Sequence, residues 1–168
     1  MDILKTAMDW AKADVFSSTI FIIFGILFVV ASLGFWHLGK TEMAKAYIIP
    51  GMVAGALLVI LGSGLLYSSQ ARITNFPTAY ESDPSAFVAS EIVRADKVLN
   101  EYAIAVFKVI PLIIAVCAVL IMVLDAPVWQ AGLITTIAMM SVILLVDTNA
   151  NARMEAYKEQ LLLVQKQE

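Results

Sequence analysis

Residues 15–39 read VFSSTIFIIFGILFVVASLGFWHLG and run from Asp14 to Lys40 without an Asp, Glu, Lys or Arg. A helix needs about 20 predominantly apolar residues to cross the hydrocarbon core of a bilayer, and this run suffices. Working outward, the stretch between Lys45 and Arg72 is equally free of charge, as is that between Asp125 and Asp147. A fourth apolar stretch begins near Tyr102, passes over Lys108 and ends before Asp125. The pattern predicts an all-α integral membrane protein. Its four transmembrane helices fall at 16–38, 47–68, about 104–124 and about 127–146, as two hairpins in one domain.

Composition agrees. Of 168 residues, 61% are hydrophobic and 15% charged, against about 45–50% and 25% in soluble domains. A soluble core of this size cannot hide that much apolar surface. Eleven Lys and Arg against fourteen Asp and Glu give a net charge of −3. That provides no polycationic face for nucleic acid. The lone cysteine, Cys117, and lone histidine, His37, leave no disulfide and no multi-ligand metal or haem set. Asp147, Asn149 and Asn151 have the spacing that opens an EF-hand loop. Ala152 stands where its glycine belongs, however, and Lys158 where its bidentate glutamate belongs. No metal or cofactor is expected. No nucleophile–base pair, phosphate-binding glycine loop or pair of intramembrane carboxylates is present, so the chain is not expected to be an enzyme.

Asp2, Asp9 and Asp14 precede the first apolar run, which is too long for the core of a cleaved signal. Within 1–15, Leu4, Met8, Ala11 and Val15 recur at helical spacing beside Trp10. They suggest a short amphipathic segment lying in the interface, or else a simple extension of the first span. Four spans put Lys5, Lys12, Arg72, Arg94, Lys97, Lys108, Arg153, Lys158 and Lys166 on one side, and Lys40 and Lys45 on the other. The positive-inside rule then places both termini in the cytoplasm, with a bacterial inner membrane as the expected setting.

Small residues mark one helix face in each of the first two spans. Ser18, Gly25, Ser32 and Gly39 recur every seven residues, as do Gly55, Gly62 and Ser69, and Gly51 forms a GxxxG with Gly55. In lipid, close backbone approach drives association, because apolar side chains gain nothing by leaving an apolar solvent. Gly25, Ser32, Gly51, Gly55 and Gly62 are therefore expected to pack the first hairpin.

Asp83-Pro84 is a helix start, an N-cap followed by a first-turn proline. It closes an expected connecting loop at 69–83 and opens a long helix over 84–124. From it, Val88, Ile92, Ala95, Leu99 and Tyr102 follow a heptad stripe, which Ala150, Met154, Tyr157, Leu161 and Val164 repeat in the helix 127–168. Paired about the turn at Asp125-Ala126-Pro127, Val88 falls opposite Val164, Ala95 opposite Tyr157 and Leu99 opposite Met154. Lys97 falls opposite Glu155, and Arg94 opposite Glu159. The last two helices are thus expected to extend beyond the membrane as an antiparallel coiled coil. Pro111 should kink the third span or be accommodated by its neighbours.

Among polar residues, Lys108 sits one turn inside a span. There it can snorkel or meet Asp147. Thr135 and Thr136 lie within the last span, where each can bond to its own helix backbone. Arg72, Phe76, Tyr80, Phe87, Glu91 and Arg94 flank the least regular segment and combine aromatic rings with arginine. They are the candidate contacts for a partner, although they could also pack inside the protein.

These residues point to a non-catalytic multi-pass membrane protein that acts through helix–helix and coiled-coil contacts. It would be an accessory subunit, a scaffold or an immunity-type inhibitor, bound to membrane lipid and to another protein or to itself. The alternative is a subunit of an oligomeric ion channel or transporter. The two last spans with a short outer turn and long cytoplasmic extensions, together with Ala131-Gly132-Leu133-Ile134-Thr135-Thr136, resemble the MotA/TolQ/ExbB stator family. That resemblance covers a small part of the chain and implies pore-lining roles for Thr135 and Thr136. The family's glycine-rich motif before the third span and its large cytoplasmic domain have no counterpart here.

Overall fold

The computed structural model describes residues 3–166. The elements are α1 (Ile3–Leu38), α2 (Glu42–Ala46), α3 (Ile48–Ser82), α4 (Pro84–Glu101), a π-helical segment (Tyr102–Val109), α5 (Ile110–Ile121) and α6 (Pro127–Gln165). Among the described residues four helical stretches, two of them the runs α2–α3 and α4–π–α5, are long and apolar enough to cross a membrane.

Local chemistry sets the breaks. Thr41 caps α2 by accepting the Ala44 N–H at 3.1 Å. Asp83, in extended conformation, is the only residue between α3 and α4 and accepts the Ala86 N–H at 2.9 Å. Pro127 opens α6, where its missing N–H costs nothing. Pro111 sits in the first turn of α5. Its ring would crowd the carbonyl four residues back, and the chain widens into the π-helical segment just before it. There Ile110 donates its N–H to the Ala105 carbonyl, five residues back.

The α1–α3 pair is antiparallel and close. A methyl group on Gly55 would lie 2.7 Å from the Gly25 carbonyl oxygen, and one on Gly25 would lie 2.8 Å from the Gly55 carbonyl oxygen. Gly51 abuts Ser32, and a methyl group on Gly62 would lie 2.8 Å from the Ser18 carbonyl oxygen. All five expected packing residues are buried in this seam. The register pairs Gly62 with Ser18, Gly55 with Gly25 and Gly51 with Ser32.

At the end of the bundle where α1 begins and α6 ends, the helices enclose one apolar core. Ile3, Ala7, Trp10 and Ala11 of α1 join Phe76 of α3, Phe87, Val88 and Ala95 of α4, and Met154, Tyr157 and Leu161 of α6. At the other end the core is thin, with Phe21, Leu58 and Val146 at its centre. There α6 packs on α1 and α3, while α5 packs on α6. No Cα of α5 or of the π-helical segment comes within 8 Å of α1 or α3.

Of the two readings of 1–15, the structure shows the extension of the first span: from Ile3 onward the segment is the start of α1, because Ile3, Ala7, Trp10 and Ala11 project into the core. Two expectations are corrected. The loop expected at 69–83 is helix to Ser82. Pro77 removes one backbone hydrogen bond, whereas Ile73, Phe76 and Tyr80 recur at helical spacing against the core. Finally, the heptad stripes of α4 and α6 do not make a two-helix seam, since α1 and α3 share their core. The expected ion pairs are replaced accordingly. Lys158 pairs with Asp96, Arg94 with Glu91, and Lys97 with Glu101.

Glycine substitutions test the seam. Gly25→Ala or Gly55→Ala should lower stability by about 1–3 kcal/mol through backbone overlap. Gly64→Ala, which meets nothing within 4 Å, should raise it by up to about 1 kcal/mol through helix propensity. Thermal unfolding of the three variants in one detergent checks the difference.

Candidate functional site

Where the terminal core meets the thinner apolar end, α1, α3, α4 and α6 surround a cavity of about 310 Å³. Phe21 and Val146 form its apolar floor, and Leu61 and Leu65 line the α3 side. Asp14, Ser17, Arg72, Arg94, Glu101, Tyr102 and Asp147 provide its polar wall.

Trp10 organises the wall. Its ring stacks on Tyr157, with centroids 5.3 Å apart and planes 12° from parallel. The Arg94 guanidinium lies 4.4 Å from the Trp10 centroid and that of Arg72 lies 5.7 Å away, both within cation–π range. Arg94 Nε donates to Glu91 Oε1 at 2.8 Å, and its terminal nitrogen donates to Oε2. The Tyr157 hydroxyl also donates to Glu91 Oε2, at 2.9 Å. Glu91 is only 6% exposed, and these three donors satisfy a carboxylate that would otherwise be strongly destabilising there. Burial pushes the Tyr157 hydroxyl pKa up, and the adjacent Glu91 charge adds to that.

Asp14 accepts a hydrogen bond from Ser69 and lies 3.7 Å from the Arg72 guanidinium. Burial, and then the neighbouring Arg94, lower the Arg72 pKa. Arg153 donates to the Ser17 hydroxyl at 2.5 Å, tying α6 to α1. Asp147 stands one residue beyond the apolar run of α6. Burial and then the Asp14 charge push it up to about 6. Tyr102, the first residue of the π-helical segment, is also raised, first by burial and then by Asp147 and Asp14.

Of the candidate partner contacts, Arg72, Glu91 and Arg94 are gathered in this network. Phe76 and Phe87 are buried edge to face at 5.3 Å, with Tyr80 against Phe87 at 5.7 Å. Phe76 and Phe87 thus take the inward-packing alternative for this group, because their helical spacing aims them at the core, while Arg72, Tyr80 and Arg94 stay partly exposed. Lys108 is exposed on the π-helical segment and does not line the cavity that holds Asp147. Thr136 donates to the Gly132 carbonyl at 2.9 Å, and Thr135 is buried. Both line a second cleft, of about 440 Å³, between α3 and α6.

The sequence reading missed Asp14, Glu101, Tyr102 and the central place of Trp10. A signal for the first was available. Asp14 and Arg72 bound the first two uncharged runs at the same end of an antiparallel hairpin, so the two charges had to lie level. The chain matches no protein-family model, no curated protein and no solved structure.

Two measurements probe the network. Arg94→Ala leaves Glu91 buried without its cation and should cost about 3–5 kcal/mol. The Glu91→Gln/Arg94→Ala double variant should cost less than the sum of its parts, a coupling that a double-mutant cycle reads directly. For Asp147 the sign follows from linkage. An unfolded Asp titrates near 3.8 and the folded one near 6. Between these values the folded state therefore holds the proton that the unfolded state has released. Asp147 should thus stabilise the fold below about pH 4 relative to pH 7, with the gain lost as pH rises towards 6. The melting temperature of Asp147→Asn should lack this component, seen as a flatter profile between pH 4 and 7.

Proposed function

We propose that the chain is a four-span integral membrane protein with both termini in the cytoplasm. It acts without catalysis, by holding a partner protein against its apolar half. The observation that carries this reading is the position of α5. Among the spans it packs on α6 alone, and only 11% of the most apolar window of its helix is buried, against 28% in each of the first two helices. Leu112 is 63% exposed and Val119 61%. In water, surface of this kind would cost about 25 cal/mol per Å². In lipid it is tolerated, and a partner helix can lie along it. The terminal core, anchored by Trp10 and Tyr157, is the rigid base from which the spans are held.

A subunit of an oligomeric, stator-like ion channel or transporter is the second reading. The carboxylates of Asp14 and Asp147, set in one cavity level with the end of the apolar run, favour it. Phe21, Leu58 and Val146 close that cavity towards the apolar end, so an ion path would need a second copy of the chain.

The protein should remain in the membrane pellet through alkaline carbonate extraction, and a reporter fused after Glu168 should be active in the cytoplasm. Release by carbonate would overturn the membrane reading, and activity of the reporter outside the cytoplasm would overturn the orientation. Mass measurement in a mild detergent separates the two functional readings: a closed ring of this chain alone favours the channel.

A further inference from the structure

The lining of the charged cavity reaches the protein surface: Leu61 and Leu65 of α3, and Glu101 at the end of α4, line it and are exposed, with Val98 and Tyr102 beside Glu101. No Cα of the π-helical segment lies within 8 Å of α3. Leu61 and Leu65 are each more than a third exposed, so the opening has an apolar sill. Inside, the charges do not balance. Arg94 is held by Glu91, and Arg72 lies against Asp14. Among the described residues Asp147 makes no ion pair, and Glu101 at the mouth has only the 4.0 Å contact of exposed Lys97.

We propose that this cavity binds the primary-ammonium headgroup of a membrane phospholipid, which enters between α3 and the π-helical segment. Asp147 is the inner acceptor and Glu101 the outer one. The proposal rests on the membrane reading above. An ammonium group supplies the positive charge that Asp147 lacks and offers three N–H donors to the two carboxylates, with the Tyr102 hydroxyl beside them. A choline headgroup has no N–H to donate. A glycerol headgroup would bring a net negative lipid towards uncompensated carboxylates. The acyl chains would lie over Leu61 and Leu65, where the apolar sill continues along α3. The π-helical segment contributes by placing Tyr102 at the mouth of the cavity.

The test uses the purified full chain in a mild detergent, with thermal unfolding followed after addition of phosphatidylethanolamine, phosphatidylcholine or free ethanolamine. Phosphatidylethanolamine should raise Tm by about 3–5 °C more than phosphatidylcholine. Asp147→Asn should abolish that difference. This variant removes a like charge near Asp14, and Glu101→Gln, at an exposed position, provides a second variant that should reduce the same difference. Equal shifts from the two lipids would overturn the headgroup site while leaving the membrane reading intact. No shift from either lipid, relative to detergent alone, would count against both. An equal shift from free ethanolamine would overturn the lipid as source of the amine. Undiminished preference for phosphatidylethanolamine in both variants would overturn the assignment of the acceptors.

Discussion

Backbone contact between α1 and α3 is the constraint on which the rest of the molecule depends. Gly25 and Gly55 lie so close that neither position has room for a single methyl group. That contact sets the register of both helices along their length. It brings Ser32 to Gly51 and Ser18 to Gly62. One step further it brings Ser69 to Asp14, and then Arg72 to Trp10. A side chain larger than hydrogen at either glycine would separate the backbones and disturb every later pairing. The polar network at the far end of the seam is therefore held by van der Waals contact in the apolar half.

On the proposed membrane reading, the polar network joins two environments that obey different rules. In the terminal core, burial of Trp10, Phe87, Tyr157 and Leu161 is driven by water. In the apolar half that drive is absent if the surroundings are lipid, and packing must come from small residues and close approach. Charged groups cannot lie in the second environment at low cost, and they collect at its edge. Asp14, Arg72, Arg94, Asp147 and Arg153 all occur at that edge, drawn from α1, α3, α4 and α6. Each is tied to another element or lines the shared cavity. Glu91 is the extreme case, a nearly buried carboxylate that accepts hydrogen bonds from Arg94 and Tyr157. Such a pair contributes little net stability, whereas removing one of its partners is costly.

The α4–π–α5 run is the exception to this economy of packing. Pro111 prevents a regular α-helix through the boundary, and the wider turns that precede it carry Tyr102 at their start and exposed Lys108 near their end. Because α5 leans on α6 alone, one flank of the apolar half stays open. Both the proposed partner-holding role and the proposed lipid headgroup site draw on that flank, the first on its apolar part and the second on its polar upper edge.

The amino-acid sequence alone determined the number of long apolar helices, their turns and the small-residue faces, because each depends on near-neighbour chemistry. Uncharged runs, Asp83-Pro84, Pro127 and seven-residue glycine spacing are all readable without knowing what lies opposite. It also marked Val88, Ala95, Ala150, Met154, Tyr157 and Leu161 for burial, since heptad spacing defines a face, although it did not mark Phe87 or Glu91. What covers that face was not readable. Leu4, Met8, Ala11 and Val15 fitted an interfacial segment as well as an extension of the first span, and the stretch 69–83 read as a loop. Tertiary contact made both helical, because Ile3, Ala7, Trp10, Ile73 and Phe76 gain a water-excluding core shared by four helices. Partner choice among charges was equally hidden. Arg94 could reach several carboxylates, and only the folded arrangement, with Tyr157 and Trp10 already in place, selects Glu91. Pairing of this kind depends on distances between residues far apart in the chain, and those distances exist only once the helices have packed.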